Sequence, residues 1–240
     1  MILCDTQTDA RPGSTSIVSR LGDGSEAFPF RVGMTCIRQI RDYISVQNRS
    51  DCTTILHLDS THSMAIHGYS VFAFGYSDQS CHFVPLAYFC TSQKRKLDIG
   101  WCLRYIKRVC VDICNVPFAP QYVMMDADKA QFNASVTELS HSTVLMCWFH
   151  VTNNVWKYAA EFRVSYDDTA AVFEDLYDMH YALRPDFEAV KARVLGRRRG
   201  LAAGSAVRKL TDHTQRFAKW QAFYTPRGYA ATNNPLEQYH

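Results

Sequence analysis

The order of the predicted strands and helices between residues 53 and 149 constrains the fold more than any other feature of the sequence. Three segments rich in β-branched and aromatic residues come first, separated by short breaks: TTILHLDS at 53–60, YSVFAFGY at 69–76 and HFVPLAYF at 82–89. A helical period over 97–114 follows, then an apolar strand at 121–128, a second helix that begins at 127, and another apolar strand at 142–149. Three strands followed by alternating helices and strands predict an α/β fold with a mixed sheet.

The segment 97–114 has the period of an amphipathic helix. One face of this helix is apolar and contains Ile99, Cys102, Leu103, Ile106, Val109, Cys110 and Ile113. We therefore expect it to lie on the sheet. A short helix is also expected within 32–46, and Pro85 in the third strand segment predicts an edge position or a bulge, because proline cannot donate to a β-ladder.

The composition fits a folded chain with a large core. The sequence has 240 residues, 47% of them hydrophobic, and a formal net charge of only +3, so neither a disordered chain nor a strongly basic nucleic-acid coat is expected. Nine cysteines in scattered positions favour reduced thiols over a disulfide framework. Since neither a signal peptide nor a membrane-spanning apolar run is evident, we expect a soluble intracellular protein.

Two aspartates end corresponding strand segments, although they are far apart in the chain. The element order is similar to that of the ribonuclease-H-like fold, in which the first and fourth strands lie side by side at the centre of the sheet. On that placement Asp59 and Asp126 converge. Two adjacent carboxylates repel each other unless a cation joins them, and hard oxygen ligands suit Mg²⁺ or Mn²⁺. Asp128 competes with Asp126 for this role, but Asp126 is preferred because it ends the strand.

The end of the sequence, ATNNPLEQYH, contains a third acidic residue, Glu237. Local rules predict a helix start, with Asn234 as the N-cap, Pro235 as the first helical residue and Glu237 closing a capping box. Glu237 is also a candidate third carboxylate for the metal site. The two interpretations are compatible, because a capped helix start would fix the backbone that presents the side chain.

Four short motifs in this order resemble the transposase domain of Mutator-like elements (MULE) and the related RNase-H-like domain of zinc-finger SWIM-type proteins. They are LHLDSTHS, YVMMDADKAQFNAS, CWFHVTNNVWK and TNNPLEQYH. The resemblance implies an RNase-H-like fold and a DDE active site carried by Asp59, Asp126 and Glu237, with two Mg²⁺ or Mn²⁺ ions. It also implies a helical insertion between the last strand and the glutamate.

The domain organisation that we expect follows this resemblance. Residues 1–30 form a flexible N-terminal segment, 31–150 the RNase-H-like catalytic core, 151–225 a mostly helical insertion, and 226–240 the start of a truncated final core helix that carries the third carboxylate. Because that helix should continue past His240, we expect a gene fragment, a decayed copy or a domesticated remnant.

Cys147 and His150 have the spacing of half a zinc site. We do not expect zinc there, because a closed structural zinc site needs four ligands and no second pair is evident. Cys147 is instead expected in the core. His150 is expected at the start of the next helix, near the active site, where it could contact a phosphate or a leaving group.

Basic residues form two clusters, one at Lys94, Arg95 and Lys96 and another at Arg197, Arg198 and Arg199. Such runs are usually solvated surface. Beside an active site they would instead contact a DNA backbone in a salt-dependent way.

We therefore expect a DDE transposase domain that cleaves and transfers DNA strands, with transposon ends and target DNA as partners. A homo-oligomer and a nuclear location, otherwise a cytoplasmic one, are expected from that function, and no membrane partner is expected. The alternative is a domesticated, non-enzymatic domain that binds DNA or protein. It would show carboxylates too far apart to share a metal ion, or no third carboxylate in reach.

Overall fold

A seven-stranded mixed sheet forms the centre of the protein. In this computed structural model the described residues are 1–61, 68–161, 163–197 and 219–237, without the side chains of Thr61, Tyr158, Asn234 and Glu237. The strands are β1 (Ile2–Leu3), β2 (Asp5–Thr8), β3 (Ile17–Arg20), β4 (Arg31–Thr35), β5 (Ile55–Thr61), β6 (Ser70–Ser77), β7 (Phe83–Thr91), β8 (Tyr122–Met125) and β9 (Thr143–Met146). The main sheet has the order β1-β4-β7-β6-β5-β8-β9, and β2 and β3 form a separate hairpin.

Seven α-helices are described in the same residues. They are α1 (Ile37–Gln47), α2 (Lys96–Cys114), α3 (Lys129–Glu138), α4 (Trp148–Glu161), α5 (Tyr166–His180), α6 (Phe187–Arg197) and α7 (Asn234–Glu237), with a short 3-10 helix at Ala222–Tyr224 before α7. None of the helices in the described part of the chain combines the length and apolar character that crossing a bilayer requires.

The three-strand, helix, strand, helix, strand order predicted for 53–149 is confirmed. β5, β6 and β7 pair antiparallel in sequence, whereas β8 pairs parallel with β5 and β9 pairs parallel with β8. The predicted adjacency of the first and fourth strands is the β5–β8 pair. A mixed α/β sheet of this kind is compatible with an RNase-H-like fold.

The packing of α2 explains its sequence. Its predicted apolar face is buried against the sheet, except that Ile113 at the end of the helix is only partly buried. β5 is paired on both sides, and Ile55, Leu56 and Leu58 are fully buried. A strand covered in this way can be apolar at successive positions rather than only at alternate ones.

The bulge expected at Pro85 is present in the β6–β7 pair. The register shifts between Phe74 and Gly75, and Pro85 lies opposite Gly75. Here β7 extends beyond its pairing with β4, so the missing proline N–H costs no ladder hydrogen bond on that side. Gly75 is required for packing, because a Cβ atom at this position would lie 2.2 Å from the ring of Phe83.

The N-terminal region differs from the sequence predictions. Residues 1–30, expected to be a flexible segment, contain β1, β2 and β3, and the carboxylate of Asp5 accepts hydrogen bonds from Trp101 and Tyr105 on α2. The helix expected within 32–46 begins only at Ile37, because residues 31–35 pair with β7 as β4. Strand pairing with a distant segment overrides the local helical pattern there.

The chain returns to the sheet after the helices α5 and α6. The backbone N–H of Met146 donates to the carbonyl of Lys219, and that of Trp148 donates to the carbonyl of Ala231. The indole of Trp148 stacks on that of Trp220, with 5.3 Å between ring centroids. These contacts bring the segment that leads to α7 alongside the end of β9 and the start of α4.

Candidate metal centre

Two carboxylates meet where the parallel pairing of β5 with β8 ends. Leu58 pairs with Met125 in the ladder, so Asp59 and Asp126 are the next residues on adjacent strands. Asp59 is 9% exposed, and the side chain of Asp126 is 13% exposed. Together with His150 they place one ligand atom each within 4.8 Å of the others. The convergence expected from the sequence is therefore present.

His150 contributes the third side chain of this cluster. It is the third residue of α4, and α4 follows β9 almost directly. His150 therefore lies just beyond the end of a third parallel strand, next to Asp59 and Asp126. Its Nδ1 lies 3.0 Å from Oδ1 of Asp126, yet this buried nitrogen has no well-aligned hydrogen-bond partner among the described residues. A buried nitrogen beside two carboxylates is what a bound cation would satisfy.

The electrostatics of the cluster also favour a cation. Burial, and next the neighbouring carboxylate of Asp59, raise the pKa of Asp126 well above its usual value. Burial lowers the pKa of His150, so its imidazole is held in the neutral form that a metal ligand requires. A divalent cation would relieve the repulsion between the two aspartates. The donor set of carboxylate oxygens and one imidazole nitrogen therefore fits a divalent metal ion.

Asp128, the competing carboxylate, has a different role in this structure. It is the N-cap of α3, and its Oδ1 accepts the backbone N–H of Gln131 at 2.8 Å. Asp126 precedes this cap and faces Asp59 instead. The preference for Asp126 over Asp128 agrees with this geometry.

Uncharged side chains hold the carboxylate of Asp126. Nδ2 of Asn233 lies 3.0 Å from its Oδ1, and Nε2 of Gln131 lies 3.4 Å from its Oδ2. Oδ1 of Asn233 in turn lies 3.0 Å from Nδ1 of His57, a fully buried residue on β5. Burial lowers the pKa of His57 to about 4, so its ring is neutral at neutral pH.

Sequence reasoning did not single out His57 or Asn233. The signal for His57 was present, since a polar residue at a position between Leu56 and Leu58 in a buried strand needs a partner. For Asn233 the TNN sequence was assigned to the motif without a role for the middle residue. Only the fold brings the two together across the chain.

Cys147 is a buried residue at the junction of β9 and α4. It packs with Ile55, Met124 and Leu145, and its Sγ accepts the backbone N–H of Asn233 at 3.2 Å. The thiol thus helps to fix the segment that leads into α7.

Glu237, the predicted third carboxylate, is the last residue of α7, and its side chain lies outside the described residues. The helix begins at Asn234, and the N–H of Leu236 donates to the carbonyl of Asn233, so Asn233 rather than Asn234 occupies the position before the helix. Because Asn233 touches Asp126, α7 starts at the candidate metal centre.

The predicted basic contacts have different surroundings. Nζ of Lys94 lies 3.1 Å from Oγ of Ser60, in a cleft of about 370 Å³ that also reaches Asp126, His150 and Lys157. Arg95 donates instead to Asp98 and to the carbonyl of Glu26.

Arg197 at the end of α6 forms ion pairs with two aspartates. Its Nη2 lies 2.5 Å from Asp175 and 3.6 Å from Asp178. Arg198 and Arg199 lie outside the described residues. Among the described cations that were predicted to contact DNA, Lys94 is thus the one beside the carboxylates.

The family model of the MULE transposase domain matches residues 55–154, a segment that runs from the first residue of β5 into α4 and contains Asp59, Asp126 and His150. No curated protein matches the chain significantly. The match agrees with the resemblance carried by the sequence motifs, and residues 55–154 are thus similar to the MULE transposase domain.

Proposed function

We propose that this chain carries an RNase-H-like DDE transposase domain that cuts and joins DNA strands with the help of divalent metal ions. The observation that carries the proposal is the meeting of Asp59 and Asp126 beside His150, where the parallel pairing of β5 with β8 ends. The match of residues 55–154 to the MULE transposase domain model supports a transposase-type function.

Asp59 and Asp126 would hold the metal, and Glu237 would complete the ligands of a second ion. Carboxylate ligands favour Mg²⁺ or Mn²⁺. When bound, two such metal ions would activate a water or a 3′-hydroxyl and stabilise the oxygen that leaves the phosphodiester. No nucleophilic side chain is then required from the protein.

The remaining residues of the site would bind and orient the DNA strand. Lys94 reaches into the cleft beside Asp126, where its ammonium group can contact a phosphate. His150 lies beside Asp59 and Asp126, and its imidazole, which burial keeps neutral by lowering its pKa, would contact the leaving oxygen. The partners are transposon-end and target DNA, bound by a chain that we expect to act as a homo-oligomer in the nucleus.

The non-enzymatic alternative is less well supported. Its first signature was a separation of the two aspartates that would prevent a shared ion, whereas their ligand atoms lie within 4.8 Å. A domain kept only for binding would also gain nothing from two buried carboxylates that repel each other.

The test is nicking of end-labelled duplex DNA by the 240-residue chain, with Mg²⁺ or Mn²⁺ against EDTA. We expect cleavage only with metal, and loss of cleavage in Asp59→Asn and Glu237→Gln. Asp112→Asn is the matched control, because Asp112 is an exposed aspartate on α2. Circular dichroism would establish that each variant is folded. Metal-independent cleavage, or equal cleavage by Asp59→Asn and the wild type, would refute the catalytic proposal.

A further inference from the structure

Asn233 is fully buried between the metal centre and the start of α7, and every polar group of its side chain has a partner. Its Nδ2 contacts Oδ1 of Asp126 at 3.0 Å and the carbonyl of Leu58 at 3.4 Å. Its Oδ1 faces Nδ1 of His57 at 3.0 Å. An asparagine side chain has two donor hydrogens and one acceptor oxygen, and all are used here.

The partners fix the direction of each hydrogen bond. A backbone carbonyl only accepts, so the group facing Leu58 must be the NH₂ end of Asn233, and its Oδ1 then faces His57. The Nδ1 of His57 must therefore carry the hydrogen. In a neutral ring this leaves Nε2 to accept from the hydroxyl of Ser77, which lies 2.7 Å away. The donors thus run in one direction, from Ser77 through His57 and Asn233 to Asp126.

The same residue joins the three segments that carry the metal-centre side chains. Leu58 directly precedes Asp59, Asn233 contacts Asp126 itself, and the N–H of Asn233 donates to Sγ of Cys147, three residues before His150. One turn of chain later lies Glu237.

We propose that Asn233, oriented by His57 and Ser77, is a positioning residue that sets the carboxylate of Asp126 for divalent metal binding and aligns α7 with the metal centre. This inference rests on the proposed function for its catalytic consequence. The hydrogen-bonded partners of metal-binding carboxylates orient them and raise metal affinity, typically by about 10- to 100-fold. Because the donors that reach Asp126 from Asn233 and Gln131 are uncharged, they orient the carboxylate without cancelling the charge that attracts the metal.

Asparagine is the residue that this position requires. An aspartate here would place an oxygen, instead of the NH₂ group, against the carbonyl of Leu58 and the carboxylate of Asp126. Asn233→Asp has nearly the same shape, so it tests the hydrogen bonds and the charge rather than the packing. Thr35→Val is the matched control, because it removes another buried side-chain hydrogen bond, from Thr35 to the carbonyl of Leu86, elsewhere in the sheet.

The experiment measures Mn²⁺ affinity by calorimetry, the Mn²⁺ EPR spectrum, and kcat and KM for DNA nicking with the 240-residue chain. We expect Asn233→Asp to weaken Mn²⁺ binding at least about 10-fold and to lower kcat by a similar factor, with KM for DNA nearly unchanged. Thr35→Val should bind Mn²⁺ like the wild type even though it is less stable. Ser77→Ala, a milder change at the far end of the donor chain, should weaken Mn²⁺ binding by a smaller factor and decides the matter if Asn233→Asp does not fold.

The outcomes separate this inference from the proposed function. Wild-type chain that binds Mn²⁺ but does not cut DNA would refute the catalytic proposal, and the Mn²⁺ affinity of Asn233→Asp would still decide the role of Asn233. Unchanged or tighter Mn²⁺ binding in Asn233→Asp, or in Ser77→Ala if that variant alone folds, would overturn the inference. Absence of Mn²⁺ binding by the wild type would overturn it as well.

Discussion

Asp59 and Asp126 follow a pair of residues, Leu58 and Met125, that are directly aligned in the parallel β5–β8 ladder, and their carboxylates lie close together where this pairing ends. The backbone pairing of β5 with β8 fixes the positions of the two aspartates. They therefore cannot move apart without disrupting the centre of the sheet. In the metal-free protein, the repulsion between the two ionised carboxylates lowers the free energy of unfolding.

The metal-free protein should therefore lose stability through Asp126 as the pH rises. The pKa of Asp126 in the folded chain is raised above that of the unfolded chain, so its contribution is fully present below the ordinary aspartate pKa and is lost as the pH passes the raised value. In EDTA, Asp126→Asn should remove this loss and be more stable than the wild type at neutral pH.

Urea unfolding at a series of pH values measures this effect. Added Mn²⁺ should reverse it in the wild type, by about 2.7 kcal/mol at a concentration 100-fold above the dissociation constant, and should leave Asp126→Asn nearly unaffected. If Asp126→Asn proved less stable than the wild type in EDTA at neutral pH, the repulsion between Asp59 and Asp126 would not be the main effect of this carboxylate on stability.

Acid should destabilise the protein through buried histidines. Burial lowers the pKa of His57 and of His180 to about 4, from 6.5. Nδ1 of His180 also lies within hydrogen-bond distance of the carbonyl oxygen of Trp220, at 2.8 Å. Because the folded-state pKa is depressed for a base, stability is present above pH 6.5 and is lost as the pH falls towards 4. Each histidine contributes up to about 3 kcal/mol to this loss.

His180→Phe isolates one of these contributions, because a phenyl ring can keep the stack on Trp148. At neutral pH the variant should be less stable by about 1–3 kcal/mol, since the carbonyl of Trp220 loses its partner. Between pH 6.5 and 4, its unfolding free energy should fall less than that of the wild type. Equal pH dependence in the two proteins would show that His180 does not titrate on unfolding as expected.

A buried ion pair connects β4, near the N-terminus, with the helix α2. Asp98 at the start of α2 is fully buried, and its Oδ1 accepts from Nε and Nη2 of Arg31 on β4 at 2.9 and 2.6 Å. Asp98→Ala should lower the free energy of unfolding by about 3–5 kcal/mol, because it leaves a partly buried guanidinium without its carboxylate.

Arg38→Ala is the matched control for this prediction. It breaks the exposed pair between Arg38 and Asp42, 3.6 Å apart on α1, and should cost less than about 1 kcal/mol. Chemical denaturation of both variants gives the comparison. Similar losses in the two would mean that burial does not control the value of these pairs.

The sequence was sufficient for those parts of the structure in which local pattern and tertiary packing agree. The strands β5 to β9 and the helix α2 could be predicted from the periodicity and composition of their own segments. The meeting of Asp59 with Asp126 could be predicted from the order of these elements alone. The strand β4 was missed because it owes its strand structure to pairing with β7, 50 or more residues away in the sequence, and not to its own pattern.

The hydrogen bonds that link Ser77, His57 and Asn233 to Asp126, in the candidate metal centre, could not be predicted for a related reason. Asn233 and His57 are unremarkable residues in their own segments, and their roles depend on partners that the chain brings together from distant positions. Ligand types are visible in a sequence because few side chains can bind metal, whereas the residues that orient them are drawn from the common polar ones.

The two basic residues with contrasting surroundings, Lys94 and Arg197, should differ in their contribution to DNA binding. Nζ of Lys94 lies in the cleft beside the carboxylates, and burial lowers its pKa, so a phosphate would offset the cost of holding its charge there. Arg197 is already paired with Asp175 and Asp178 and would have to break those contacts to reach DNA. We therefore expect Lys94→Ala to weaken DNA binding and Arg197→Ala to change it little.

Fluorescence anisotropy with labelled DNA at several salt concentrations distinguishes the two. Lys94→Ala should reduce the slope of log affinity against log salt by about 1, as expected for the loss of one phosphate contact. Lys96→Ala is the matched control, because Lys96 is an exposed lysine at the first residue of α2. A larger loss in Arg197→Ala than in Lys94→Ala would place the DNA path along α6, since the cleft beside Asp126 would then contribute less to DNA binding than the end of that helix.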